Sequence, residues 1–261
     1  MYTVGERTAY SARMGEVTES GLPRAVAIAW GTHAQPQSGP RRGMSHEKIV
    51  AKAIEIADEQ GLSGVTMQRL AESLGFTTMS LYRYVANKDE LFMLMVGSET
   101  ILPEAPAGHD DWKAGLREWA GSLREMYAAH PWLLDIRRGP TSVLMPASVA
   151  LVDQGLQVLA PLELDDRDRI SIILIVSSYV SSFAALERDL AGQEDLEFGP
   201  QAMAELGSVI TPERLPFAAP LILSGGYVGG PPGEDHEAGV GYEYELGLDL
   251  LIEGLSARKR T

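Results

Sequence analysis

The stretch Thr66–Lys88, TMQRLAESLGFTTMSLYRYVANK, decides the fold. Thr66 is a helix N-cap residue whose side-chain oxygen can take an orphan backbone N–H. Met67, Leu70, Ala71 and Leu74 recur at helical spacing. Gly75 follows the last of them, where a positive φ is wanted. Thr77 or Thr78 can cap a second helix, turning Leu81 and Val85 inward and leaving Ser80, Tyr82, Arg83 and Tyr84 around the rest of its surface. Helix, glycine-containing turn, helix is the helix-turn-helix pattern. A short second helix rich in hydroxyls and aromatics, with one Arg, suits a major groove. Plain helical bundles contain such hairpins too, so spacing alone leaves DNA binding and a purely structural hairpin both open.

The flanks extend the pattern. Ser45 caps a helix whose third position is Lys48, so the capping box is incomplete. Ile49, Ala53, Ile56 and Ala57 form its apolar stripe, and Gly61 ends it. Lys48 and Lys52 share one outer face; with Arg69 and Lys88 they can supply salt-dependent phosphate contacts. After Thr66–Lys88, Asn87 caps a helix expected to run to about Leu102, with Asp89 and Glu90 at its dipole-favoured start and Pro103 and Pro106 as its stop.

Composition narrows the function classes. The chain has 261 residues and no cysteine, which excludes disulfides, thiolate metal sites and Cys nucleophiles. The most apolar run, residues 170 to 186, contains five serines and is expected not to span a bilayer. No signal-peptide pattern is evident, and a cytoplasmic location is expected. A net charge of −14 is unusual for a nucleic-acid binder. Its distribution softens the objection: residues 40–100 carry 7 basic and 8 acidic groups, residues 101–261 carry 12 and 25. An acidic body would be repelled by phosphate and would orient a near-neutral head toward DNA.

Elsewhere the chain reads as all-α. Residues 1–43 are Gly-, Ser-, Pro- and Thr-rich and are expected to be mostly disordered, with Ala25 to Trp30 a patch without period and Arg41 and Arg42 a possible basic arm. Trp112, Leu116, Trp119, Leu123, Met126 and His130 mark one helix face, broken by Pro131. Val149, Val152, Leu156 and Leu159 are the expected inner face of a helix over 146–159. A long helix follows from Asp165 or Asp166 through Leu190. Its stripe, Ile170, Ile173, Leu174, Ser177, Val180, Ser181 and Ala184, has small residues that suit close helix approach. Residues 192–233 read as a mobile connection with one short helix near 200–208, and a last helix spans about 237–257. The glycine run at 224–233 lacks Gly-Lys-Ser/Thr and is no phosphate loop.

Residues 45 to about 97 resemble the DNA-binding domain of the TetR (tetracycline repressor) family of bacterial regulators. The resemblance is carried by Gly61-Leu62, Val65-Thr66, Leu70-Ala71, Leu74-Gly75, Leu81-Tyr82 and the run Tyr84–Leu91, YVANKDEL. Trp112, Leu116, Leu123, His130–Leu133 and Gly139-Pro140 are similar to the ligand-binding domain of the subgroup nearest the tetracycline repressor. The resemblance implies three regions: an extension (1–43), a DNA-binding head (44–92) and a ligand-binding and dimerisation body (93–261). It implies base contacts by Gln68, Thr78, Met79, Ser80 and Arg83, with Arg83 suited to guanine and Gln68 to adenine. Phosphate contacts fall to Lys48, Thr66, Arg69, Tyr82, Tyr84 and Lys88. A homodimer would form through helices 166–190 and 237–257, and a small hydrophobic or aromatic effector would release it from a palindromic operator. Trp119, Met126, Tyr127, Trp132, Arg137, Tyr179 and Phe183 are the pocket candidates, although each could be plain core. No cofactor or metal is expected: between 100 and 200 only His109 and His130 occur.

Other classes fit less well. No nucleophile–base spacing or paired-carboxylate motif supports an enzyme, since Asp165, Asp166 and Asp168 are explained as helix capping. Ligand-independent regulation, or control by a partner protein through the acidic 192–237 segment, stays open.

Overall fold

A computed structural model describes residues 18, 21–32, 44–106, 111–191, 200–224 and 240–258. Among them the chain forms eleven α-helices and no strand. These are α1 (Arg24–Ala29), α2 (His46–Gly64), α3 (Met67–Leu74), α4 (Thr78–Leu81), α5 (Lys88–Val96), α6 (Trp112–Ala129), α7 (Pro146–Leu159), α8 (Asp166–Leu190), α9 (Pro200–Val209), α10 (Ala218–Leu223) and α11 (Gly241–Arg258). Short 3-10 turns lie at Glu99–Ile101, Pro131–Leu134 and Ser142–Leu144. The chain divides into two compact units, Met1–Ser181 and Ser182–Thr261.

In the first unit α2, α3, α4 and α5 pack around one core. Ile49, Ala53, Leu70, Leu81, Val85 and Leu91 are fully buried there; each large side chain withdrawn from water contributes about 1.5–3 kcal/mol. The helix ends follow their sequence signals. Ser45, Thr66, Thr77 and Asn87 each accept a backbone N–H three residues on. Gly61 (φ 68°) breaks α2, and Gly75 (φ 73°) ends α3 with Phe76 N–H donating to the Ala71 carbonyl, a Schellman closure.

Several expectations are corrected. Part of the extension read as disordered is ordered: α1 buries Ala25, Val26, Ala27 and Ile28 and packs on α5. Its run is too short to show a period, so the signal lay in its partner. Arg41 and Arg42 lie outside the described residues. α5 stops at Val96, not near Leu102, and Ser98 then caps the 3-10 turn. Here Gly97 passes so close to Met145 that a Cβ would lie 2.5 Å from its Cε. α7 buries Ala147, Gly155 and Leu159 and leaves Val149 exposed, because small residues let it press on its neighbours. At Gly155 a Cβ would sit 2.5 Å from Ile173 Cδ1 and 2.9 Å from Trp119 Cζ2.

α8 is apolar on two faces. Ile172, Ile173, Val176 and Val180 are buried, whereas Ile170 and Leu174, expected inward, are exposed together with Ile175. Contrary to expectation, α8 is long and apolar enough to cross a membrane by composition, with a mean hydropathy of 1.8 over its best window. Its serines dilute apolarity little, and its charges gather at the two ends. In the second unit Ala218–Leu223 is a second helix within the stretch read as mobile connection. α11 buries Tyr244, Leu248 and Ile252 on one face and exposes Tyr242, Leu246 and Leu250 on the opposite one. The expected start of that helix, residues 237–239, lies outside the described residues.

Candidate nucleic-acid interface

The expected reading edge is built by one tight turn of helix. Thr77 Oγ1 accepts the Ser80 N–H at 3.3 Å and lies 2.9 Å from the Ser80 hydroxyl. After Leu81 the bonding shifts to a 3-10 pattern, with Arg83 N–H donating to Ser80 and Tyr84 N–H to Leu81. Leu81 and Val85 are buried in the core, which leaves Tyr82 and Arg83 facing outward. Met79 is 75% exposed and Tyr82 47%, and Arg83 is also exposed. Gln68, one helix earlier, is exposed and donates to Glu72 at 2.9 Å, leaving its carbonyl oxygen and one N–H available.

The cations are less free than their sequence positions imply. Arg69 donates to the Gln60 side chain and, at 3.5 Å, to the Gly64 carbonyl, closing the break in α2. Lys88 reaches the Leu62 carbonyl at 3.5 Å and lies over the Phe92 ring. Lys52 pairs with Glu55. Lys48 is exposed, and its neighbour Glu47 has its carboxyl held below the ordinary range by the Ser45 hydroxyl. Thr66 is exposed, with its oxygen used as the α3 cap.

Tyr84 is half-buried. Its carbonyl accepts two donors, His46 Nε2 at 2.9 Å and Arg24 Nη2 at 3.1 Å, while its ring meets that of His46 edge-on. Both lone-pair directions of this carbonyl are thereby filled. Sequence reasoning missed Arg24 and His46, because no local pattern links them to Tyr84.

The head joins the body at Asp58. Its Oδ1 accepts the Trp132 indole N–H at 2.6 Å and lies 2.8 Å from His130 Nδ1. Trp132, expected in the pocket, is thus buried with its polar edge on the head. The other candidates separate. Trp119, Met126 and Tyr127 are buried along α6. Arg137 is exposed, and it is Arg138 that reaches the Tyr127 hydroxyl, with its guanidinium 5.7 Å from the ring centre. Burial raises the Tyr127 pKa, and the Arg138 charge opposes this. Tyr179 is half-buried on α8, and Phe183 packs edge-on against Tyr244 in the second unit. Buried Trp119 Nε1 and Gln154 Oε1 find no hydrogen-bond partner among the described residues. Gln154 adjoins Gly155, which rests on the Trp119 ring. An unfilled donor and an unfilled acceptor near one helix crossing are costly in a finished core. No group of three or more metal-binding side chains occurs among the described residues.

Comparison with known proteins gives two family matches. Residues 49–94 match the description "Bacterial regulatory proteins, tetR family", and residues 102–259 match "Tetracyclin repressor-like, C-terminal domain". The chain is 31% identical over 259 residues to the HTH-type transcriptional repressor DrrR1 of Streptomyces coeruleorubidus, covering 95% of this chain and 92% of the relative. It is 26% identical over 221 residues to the Escherichia coli tetracycline repressor protein class C, covering 84% and 93%. Among solved structures, apo ActR from Streptomyces coelicolor superposes with a TM-score of 0.63 at 25% identity, over 85% of this chain and 99% of that one. ActR in complex with actinorhodin gives 0.60 at 24%, again over 85% and 99%.

Proposed function

The chain belongs to the TetR family of bacterial regulatory proteins, and we propose that it is a repressor released from a palindromic operator by a small aromatic effector. The observation that carries DNA binding is the capped α3–α4 hairpin, which buries Leu81 and Val85, exposes Met79 and Arg83 and leaves Thr78 and Ser80 half-buried beside them. These four and Gln68 are the base-reading group; Lys48, Thr66 and Tyr82 meet phosphates. Arg69, Tyr84 and Lys88, whose polar groups already hold the head together, chiefly set its shape and touch phosphate with what remains. Residues 44–92 serve as head and 93–261 as body, a division supported by the boundary between the two family matches. The regulator works in the cytoplasm, where chromosomal DNA lies.

Two copies act together. The uncovered apolar stripes of α8 (Ile170, Leu174) and α11 (Tyr242, Leu246, Leu250) are each the kind of surface that a second copy covers. The effector enters near Trp119 and Gln154, whose buried Nε1 and Oε1 have no hydrogen-bond partner among the described residues. Binding there acts on the head through α6 and the Asp58 junction at its end, a coupling free energy between two sites.

The test uses the full chain. Duplexes selected from a random pool should converge on a two-fold symmetric sequence with half-sites ~34–36 Å apart. Leu174→Glu should yield a folded monomer with weakened operator binding. Actinorhodin, which ActR holds in one of its structures, is a first effector probe, read as release of the selected duplex. Absence of any enriched sequence would overturn the DNA-binding reading.

A further inference from the structure

We propose that residues 21–32 form a strap that positions the DNA-reading turn, with Arg24 as its positioning residue; this rests on the DNA-binding reading of Thr66–Lys88. The strap helix α1 lies along α5. At its start, the Arg24 guanidinium forks between the Tyr84 carbonyl and the Glu90 carboxylate. Glu90 in turn accepts the Ala86 N–H at 2.6 Å, while its own N–H is held by Asn87. One guanidinium therefore fixes both sides of the turn, Tyr84 to Asn87, by which the chain leaves the reading segment. The pair is sheltered, with side chains 16% and 9% exposed, so water competes little. At the far end of the strap, Trp30 Nε1 donates to the Leu144 carbonyl at 2.8 Å. Leu144 precedes Met145, the residue pressed against Gly97 at the other end of α5. The strap thus runs the length of α5, from the reading turn to the loop that enters α7.

The α-helical part of the reading segment is a single turn, Thr78–Leu81, and Arg83 lies beyond it. Such a segment has little stiffness of its own. Arg83 can meet a base edge in fork geometry only if the turn behind it is held, and a small misplacement forfeits the bidentate contact. Arg24, itself sheltered, acts on DNA through that turn.

The test compares wild type, Arg24→Ala, Arg24→Lys, Trp30→Phe and Arg24→Ala/Arg83→Ala as full chains. Each is measured on the duplex that wild type selects, on a scrambled duplex of equal length, and by thermal unfolding. Arg24→Ala should weaken specific binding about tenfold, the size of one lost base contact. It should leave scrambled-duplex binding and its salt dependence unchanged, since phosphate contacts remain. Arg24→Lys, which keeps the charge but not the fork, should recover part of the loss. In an Arg83→Ala background the Arg24 change should have little further effect, as residues acting through one contact are non-additive. Equal losses on both duplexes, or full additivity with Arg83→Ala, would overturn the strap. If Arg24→Ala does not fold, Arg24→Lys and Trp30→Phe carry the test, and an unchanged specific-to-scrambled ratio in both overturns it. A wild type that selects no sequence removes the DNA-binding reading and the strap with it; a wild type that selects DNA while Arg24→Ala keeps its specificity removes the strap alone.

Discussion

Asp58, near the end of α2, accepts the indole N–H of Trp132 at 2.6 Å across 74 residues of chain. The same oxygen lies 2.8 Å from His130 Nδ1, so one carboxylate gathers the end of α6 onto the head. Asp58→Ala leaves the buried Trp132 N–H without its acceptor, at a cost of about 1–3 kcal/mol. The thermal midpoint should fall, and Asp58→Asn, which keeps one carbonyl acceptor, should recover part of it. An Asp58→Ala midpoint equal to wild type would separate head and body at this point.

Arg83→Ala should remove about 1–3 kcal/mol of discrimination at one operator position. Arg83 is exposed and outside the head core, so the variant should stay folded. Binding titrations on the selected duplex and on its single-base variants measure the change. Undiminished discrimination would assign the reading edge elsewhere.

Gly155 is held to glycine by its neighbours. An added Cβ would meet Ile173 Cδ1 at 2.5 Å and the Trp119 ring at 2.9 Å. The ring cannot swing away as a chain end can, so Gly155→Ala should destabilise by about 1–3 kcal/mol despite alanine's better helix propensity. A denaturant titration decides between the two effects, with a gain in stability showing that the crossing is loose.

Tyr127 gives an alkaline signature. Burial lifts its folded pKa above the ordinary 10.0. The folded chain then holds the phenolic proton more tightly than the unfolded chain. That contribution to stability is complete below the unfolded pKa and is lost as pH rises through the folded one. Phenolate absorbance should show one tyrosine titrating late, and Tyr127→Phe should abolish that component. A wild type without the late component would place Tyr127 in contact with water.

The expected features of the head that the structure reproduces are those written in adjacent residues. Thr66, Gly75, Thr77 and Asn87 act through bonds that span three to five positions, so their signals stand side by side in the chain. The same holds for the α6 stripe from Trp112 to Met126, whose period is visible within one helix. The pattern is ambiguous where a helix is apolar in more than one direction. On α8 the pattern marks Ile170 and Ile173 alike, yet Ile173 is buried, with its Cδ1 against Gly155 of α7, and Ile170 is exposed. Arg137 and Arg138 are likewise equivalent as adjacent letters; the backbone after Pro131–Leu134 turns the second toward Tyr127.

Thr66–Lys88 and its flanks were enough to mark a helix-turn-helix, because caps, glycine turns and helical period are short-range physics, and the resemblance of those residues to the TetR family made it a DNA-reading head. Which side chains bind that head to the rest of the molecule was decided by tertiary structure. Arg24 meets Glu90 across 66 residues and Asp58 meets Trp132 across 74. Such pairs exist only after the chain has closed the intervening loops, and no local pattern records which charge or ring will be waiting on the other side.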